Sequence, residues 1–195
     1  MKLPARDVFL LLNRPLAVIR PCRQRGGSLI EALAVLAILI ILAAMGAPSM
    51  ASFTASRNVE SVARQLADDM ALARQEAVKR NTRVLVCPGA SGSACTAPQA
   101  ATDWTKGWRV CQDAGADGEC DPATATDPNP IRVRGALDAA VSVTGPLSEV
   151  RFNPDGTTTS GSYSDYTVDS TRSAVASWRV RFAASGAVSL RRPGS

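Results

Sequence analysis

Residues 26–80 read GGSLIEALAVLAILIILAAMGAPSMASFTASRNVESVARQLADDMALARQEAVKR. This stretch decides the fold, because a single helical pattern changes character partway along it. Residues 29–47 form an apolar run of nineteen in which Glu31 is the only charge. At ~1.5 Å per residue the run extends about 28 Å, close to the hydrocarbon thickness of a bilayer. From Thr54 the pattern turns amphipathic. Val59, Val62, Ala63, Leu66, Met70, Ala73 and Ala77 recur at spacings of three and four, as on a helix with one buried face. Arg57, Glu60, Arg64, Asp68, Glu76 and Lys79 fall mostly on other faces. No Gly interrupts residues 49–80, and no Pro either, so one helix is expected from Leu29 to about Arg80, about 78 Å long. Pro48 has no N–H to donate and is expected to kink it. A secretory signal peptide cut within AAMGAPSMA is the alternative; the run is long for that, and the helical pattern continues past it.

Charge is distributed unevenly. The 195-residue chain carries a net charge of +5. Residues 1–26 contain six basic side chains and one acid, and the remainder holds 16 of each sign. The basic character therefore belongs to the leader, and a global case for nucleic-acid binding fails once the leader is set aside. The chain has no histidine. That excludes Ser-His-Asp and Cys-His catalysis and most zinc hydrolase sites. No enzyme activity and no cofactor are expected.

Cys22 lies in the leader; the other cysteines are Cys87, Cys95, Cys111 and Cys120. An exported domain would hold these four in an oxidising compartment. Four cysteines allow three connectivities, of which the local pairs Cys87–Cys95 and Cys111–Cys120 are the simplest. A zinc site made of all four cysteines is the rival reading, without the usual short C-x2-4-C pairs. The acidic stretch DAGADGECD (113–121) has a hint of calcium-loop spacing but lacks the terminal Glu of such a loop. No metal site is assigned.

After Asn81 the texture changes to short β-like runs: RVLVC (83–87), WRVC (108–111), IRVR (131–134), AVSV (140–143), EVRF (149–152), SWRVRF (177–182) and AVSL (187–190). In SWRVRF, Trp178, Val180 and Phe182 share one face and Arg179 and Arg181 the other. NPDG (153–156) reads as a turn. Residues 156–174, rich in Ser, Thr and Gly, read as a long, partly mobile loop. Trp104 and Trp108 read as core aromatics, with contact to a neighbouring protein as their other role.

Gly26, Gly27, Ser28, Leu29, Ile30 and Glu31, behind a basic leader and ahead of an apolar helix, resemble the class III signal of type IV pilins and pseudopilins, whose pattern is close to G-F-T-L-I-E. This chain has Gly27 where the family usually has Phe or Met. The resemblance implies that a prepilin peptidase cuts between Gly26 and Gly27 on the cytoplasmic side and that the new N-terminus is N-methylated. The helix then stays as an inner-membrane anchor and later becomes filament core. Basic residues before the span keep that end cytoplasmic, which puts the C-terminal domain in the periplasm of a bacterium. A carboxylate in a membrane segment costs a few kcal/mol and marks function by default. The resemblance implies that Glu31 pairs with the terminal amine of a neighbouring subunit and sets axial register. The plain alternative is that Glu31, near the end of the run, snorkels to the interface.

Later motifs narrow the family. LARQEAVKR (72–80) followed by a strand and CPGASGSAC (87–95) is similar to the GspH/FimT junction A-R-x-E-A-V-x-R and its C-P-x-x-x-G-x-x-C loop. DWTKGW (103–108) resembles D-W-x-x-G-W of the pilus branch, and FNPDG (152–156) resembles F-x-P-x-G. The expected fold is α+β and pilin-like: a long N-terminal helix packed on a small, mostly antiparallel β-sheet domain. Its parts are a cleaved leader (1–26), a transmembrane half-helix (27–53), a periplasmic amphipathic half (54–80) and a disulfide-containing β domain (81–195). The resemblance implies a minor pilin that primes or tips a type IV pilus, with other pilin or pseudopilin subunits, the prepilin peptidase and the inner membrane as partners. Two alternatives remain. One is the H-type pseudopilin of a type II secretion system. The other is a DNA-binding pilin: the family's C-terminal G-R-x-R motif falls on GAVS (186–189), which lacks both arginines, but Arg172, Arg179, Arg181, Arg191 and Arg192 stand in a C-terminal stretch with no acid.

Overall fold

The computed structural model describes residues 28–90, 95, 104–124, 128–159, 163–172 and 175–192, with the side chains of 44–49 outside that set. The chain divides into two compact units, Met1–Ala44 and Met45–Ser195. Helix α1, Leu29–Arg80, is assigned without interruption, Pro48 included. The Gly26–Gly27 cut expected from the sequence lies outside the described residues.

In the first unit the helix is apolar and uncovered. Leu29, Ile30, Leu33, Leu36, Ile40 and Leu42 are each more than half exposed. Among the described residues no helix is long and apolar enough to cross a membrane. The span expected over 29–47 has described side chains only to residue 43. That portion covers about 22 Å at ~1.5 Å per residue, short of the ~30 Å hydrocarbon core.

In the second unit the helix buries the face its spacing predicts. Val59, Ala63, Leu66, Met70, Ala73 and Ala77 are fully buried, and Val62 is partly buried against them. Burying Val59, Leu66 and Met70 contributes about 1.5–3 kcal/mol each. The alanines keep the stripe shallow, so the sheets can approach the helix closely. The helix stops at Asn81, whose φ of 50° is left-handed. The Asn81 amide donates to Val78 O at 3.3 Å and the Thr82 amide to Ala77 O at 3.2 Å. This pair of bonds is a Schellman cap, with Asn in the place where a short polar side chain tolerates the left-handed turn.

Among the described residues eight strands follow: β1 Val84–Pro88, β2 Trp108–Gln112, β3 Arg132–Arg134, β4 Val141–Thr144, β5 Val150–Phe152, β6 Tyr163–Ser170, β7 Trp178–Ala183 and β8 Val188–Arg191. They form two four-stranded sheets, β3-β2-β1-β5 and β4-β6-β7-β8, and every pairing is antiparallel. The helix and the inner faces of both sheets share one core, in which Val84, Val86, Val110, Phe152, Val168, Val180 and Phe182 meet the helical stripe. Trp178, Val180 and Phe182 do point inward while Arg179 points out.

The expected antiparallel β domain is built as two sheets, and one expectation needs correction. Part of the loop expected over 156–174 is β6, the longest strand, which sits between β4 and β7. Its face alternates as a strand should, with Ser164, Tyr166 and Val168 buried. The buried Ser164 and outward Asp165 and Thr167 give it the composition of a loop.

In sheet β3-β2-β1-β5 the two central strands are covered on both faces: β1 and β2 are buried at four successive positions each. Val84, Val86, Trp108 and Val110 face the helix. Leu85, Cys87 and Cys111 form a second, smaller cluster with Cys95 and Cys120.

A polar contact is set into the apolar stripe. Asp69, 2% exposed, accepts hydrogen bonds from Trp108 Nε1 at 2.9 Å and from Arg134 Nε at 2.8 Å and Nη2 at 3.3 Å. It thereby ties α1 to β2 and β3. Removing one member of a buried charge-assisted network leaves the others unsatisfied. Asp69→Ala is predicted to lower unfolding free energy by about 3 kcal/mol, whereas Arg57→Ala on the exposed face should change it by less than about 0.5 kcal/mol. Urea denaturation of both variants checks this.

Candidate functional site

Four places in the chain could carry function: the start of α1, the seam between helix and sheets, the sulfur cluster, and the arginine face of the second sheet.

At the start of α1, Ser28 precedes the first helical residue and its carbonyl accepts from the Ala32 amide at 3.2 Å. Glu31 is therefore the third helical residue. Ser28 and Glu31 have the spacing of a capping box, and a carboxylate in the first turn faces the positive end of the helix dipole. Glu31 is exposed and lies with Ser28, Ala32, Val35 and Leu36 on one helix face. Its position is thus favourable within a single helix, and its carboxylate remains open to a further partner.

At the seam, motifs far apart in sequence meet. Arg74 of the LARQEAVKR stretch donates from Nε to Gly156 O at 3.0 Å, so it grips the NPDG turn, where Gly156 has a φ of 78°. Glu76 of the same stretch accepts from Arg80 Nε at 2.6 Å and from Lys79 at 3.2 Å. The Arg80 bond holds the Glu76 carboxyl below its usual range. In DWTKGW, both tryptophans are fully buried. Trp104 donates to Leu147 O at 3.3 Å and meets Tyr166 edge-on with centroids 4.9 Å apart. Between them Gly107 has a φ of 87°, and a Cβ there would overlap the Arg134 carbonyl oxygen. Both tryptophans thus belong to the core, and the glycine is required by backbone contact.

The four domain cysteines pair locally, Cys87–Cys95 and Cys111–Cys120. Cys87 and Cys111 sit on neighbouring strands β1 and β2, and their partners come from loops. Arg109, 2% exposed, lies beside them. Its Nη1 donates to Gly89 O at 2.9 Å, and its Nε lies 3.4 Å from Cys120 Sγ. Burial pulls the Arg109 pKa down. The acids of the loop 113–121 turn to the backbone: Asp113 accepts from the Asp117 and Gly118 amides, Asp121 from Ala114, and Asp117 from Glu119. Those bonds give the acidic spacing a structural explanation.

The arginines of the C-terminal stretch are not equivalent. Arg181 forks onto Asp165 of β6, with Nε–Oδ1 at 2.6 Å and Nη2–Oδ2 at 2.7 Å. This fork is the first cause of an Asp165 pKa below the carboxylate range, and Arg179 and Arg191 add to it. The acid-free stretch counted along the sequence therefore has an acid across the strand. Arg179 and Arg191 are exposed and sit directly opposite one another in the β7–β8 register, an unfavourable like-charge pairing. Arg192 lies 5.3 Å from the Trp178 ring centroid. It helps line a cleft of about 390 Å³ with Phe53, Arg57 and Glu60.

Asp69, Asp165 and Arg109 contribute too, and they differ in how visible they are in the sequence. Asp69 has a signal: it lies three residues after Leu66 and four before Ala73, on the apolar stripe, where an acid needs a partner. Asp165 and Arg109 have none until strand pairing is known.

The fold agrees with comparison to known proteins. The family model "Type II transport protein GspH" matches residues 62–186. The crystal structure of the type IV minor pilin FimU of Pseudomonas aeruginosa (strain PAO1) is similar, with a TM-score of 0.52 and 17% identity over 73% of this chain and 98% of that chain. The minor pseudopilin EpsH from the Type 2 Secretion System of Vibrio cholerae gives a TM-score of 0.51 and 14% identity over 71% and 99%. At these identities the likeness is one of fold. No curated protein sequence matches the chain. The family match spans most of the chain and takes in the seam, both tryptophans and the NPDG turn: the chain belongs to the GspH family and has a pilin-like fold.

Proposed function

We propose that the protein is a minor pilin, made as a precursor, which a prepilin peptidase cuts between Gly26 and Gly27, and which takes part in priming or tipping a type IV pilus. The observation that carries this reading is the contrast along α1. Val59, Leu66, Met70 and Ala77 are fully buried in the domain, while the large apolar side chains from Leu29 to Leu42 are uncovered. A helix that is hydrophobic all round is stable only in lipid or among other helices. In this reading residues 27–53 anchor the chain in the bacterial inner membrane, single-pass with the N-terminus cytoplasmic. Pro48 kinks the helix, and the domain stands in the periplasm. Cleavage leaves an amine on Gly27, immediately before Ser28. Glu31 then offers its carboxylate to the amine of a neighbouring subunit, which fixes the axial step between them. The role is structural and needs no catalytic side chain. The disulfide loops and the DWTKGW segment favour the pilus over the alternative, the H-type pseudopilin of a type II secretion system.

A second reading rests on the Arg179–Arg191 pairing, a like-charge contact that a phosphate would relieve. A DNA backbone held there would be bound without sequence readout.

The main reading predicts that mass spectrometry of the membrane form finds an N-terminus at Gly27, and that Glu31→Ala inserts normally but is depleted at least ~10-fold from sheared filaments, a difference worth about 1.4 kcal/mol. An intact leader, or a variant incorporated like the parent, would contradict it. Filaments absent and secretion lost would indicate the pseudopilin. For the second reading, the purified protein should retard DNA in a salt-dependent way, and Arg179→Ala/Arg191→Ala should abolish retardation; equal retention by the double variant refutes the site.

A further inference from the structure

The two disulfides are not separate staples. All four sulfurs, from Cys87, Cys95, Cys111 and Cys120, lie within 4.8 Å of one another. Two come from adjacent strands, and their partners Cys95 and Cys120 lie outside the strands. Cys87, Cys95 and Cys111 are buried with Leu85, and Cys120 is partly buried at the edge. A tetrahedral zinc tetrathiolate, with Zn–S bonds of ~2.3 Å, has sulfur–sulfur edges of about 3.8 Å. Going from two disulfides to that arrangement requires the bonded sulfurs to part and the non-bonded ones to hold or close slightly. Both movements are within the reach of χ1 rotation, with Cys87 and Cys111 anchored at fixed strand positions and Cys95 and Cys120 outside the strands.

The surroundings suit such an ion. Four thiolates on Zn²⁺ carry a net charge of −2, which is costly in a buried place without a nearby cation. Arg109 supplies one: it is buried on the same face of the sheet, with Nε 3.4 Å from Cys120 Sγ. Carbonyls of Pro88 and Gly89 accept from its Nη1 and fix its position.

We propose that the chain in its thiol form, as it is synthesised, binds one Zn²⁺ through Cys87, Cys95, Cys111 and Cys120, so that the same four sulfurs fasten the same two loops before and after oxidation. Binding displaces four thiol protons and forms four Zn–S bonds. Oxidation reverses it: two molecules of an external disulfide accept two electrons each and leave as thiolates, the four cysteine sulfurs form two S–S bonds, and the ion is released. The short C-x2-4-C pairs common in zinc sites are absent because the fold, not local sequence, brings the ligands together.

The test uses the full chain in detergent micelles, with Cys22→Ser so that only these four thiols remain. After reduction by a phosphine and its removal without air, Co²⁺ is titrated in. The expected result is one Co²⁺ per chain, with an intense thiolate-to-cobalt band and visible bands of tetrahedral cobalt, displaced by Zn²⁺. Zn²⁺ should also raise the melting temperature of the reduced chain by ~5 °C or more and leave the oxidised chain unchanged. Cys87→Ser should lose the tetrathiolate spectrum. No uptake, six-coordinate spectra, or uptake without a rise in melting temperature would overturn the proposal, the last because it reports an ion held by an unfolded chain.

Discussion

The structure depends on the contact that joins one face of α1 to the sheets. That face is an apolar stripe with a carboxylate set into it. Asp69 receives the Trp108 indole and the Arg134 fork, so β2 and β3 are held at a fixed position along the helix. Apolar burial alone is non-directional and would tolerate some sliding along the alanine-rich stripe. Buried hydrogen bonds to a charge do not. Arg74 adds a second fixed point by reaching Gly156 on the NPDG turn. Two polar contacts on one helix, gripping different parts of the β domain, set the register of the seam.

Seen from that seam, the family motifs become physical requirements. Arg74 and Gly156, distant in sequence, are partners. Trp108 contributes its N–H as well as its ring, and Gly107 beside it is required because the Arg134 carbonyl leaves no room for a Cβ. The acidic loop closes on its own amides. The chain shares its fold with pilin structures at no more than 17% identity.

Much of this was legible in the sequence. The stripe from Val59 to Ala77 announced itself by spacing, because a helix with one wet face must repeat every three to four residues. The local cysteine pairs were the simplest of three connectivities that the sequence left open, and among the described residues seven of the eight strands showed as short β-like runs. β6 was hidden because Ser164 takes a core position and Asp165 and Thr167 face outward, so polarity falls on both faces. Its signal lay in Tyr163, Tyr166, Thr167 and Val168, residue types that favour pleated structure. The Asp165–Arg181 pair was invisible for a different reason: cross-strand partners are fixed by register, which a linear count of charges does not contain. The clustering of four sulfurs likewise follows from placing β1 beside β2.

The central claim is that α1 has two stretches with different partners, its own domain for one and other subunits for the other. Photo-crosslinking from position 40, in cells assembling filaments, tests it most directly. The account predicts adducts with the N-terminal helix of another pilin-type subunit, and none with a pilin from position 66, which is buried in its own domain. Adducts from position 40 with lipid alone, unchanged when assembly is switched on, would contradict it.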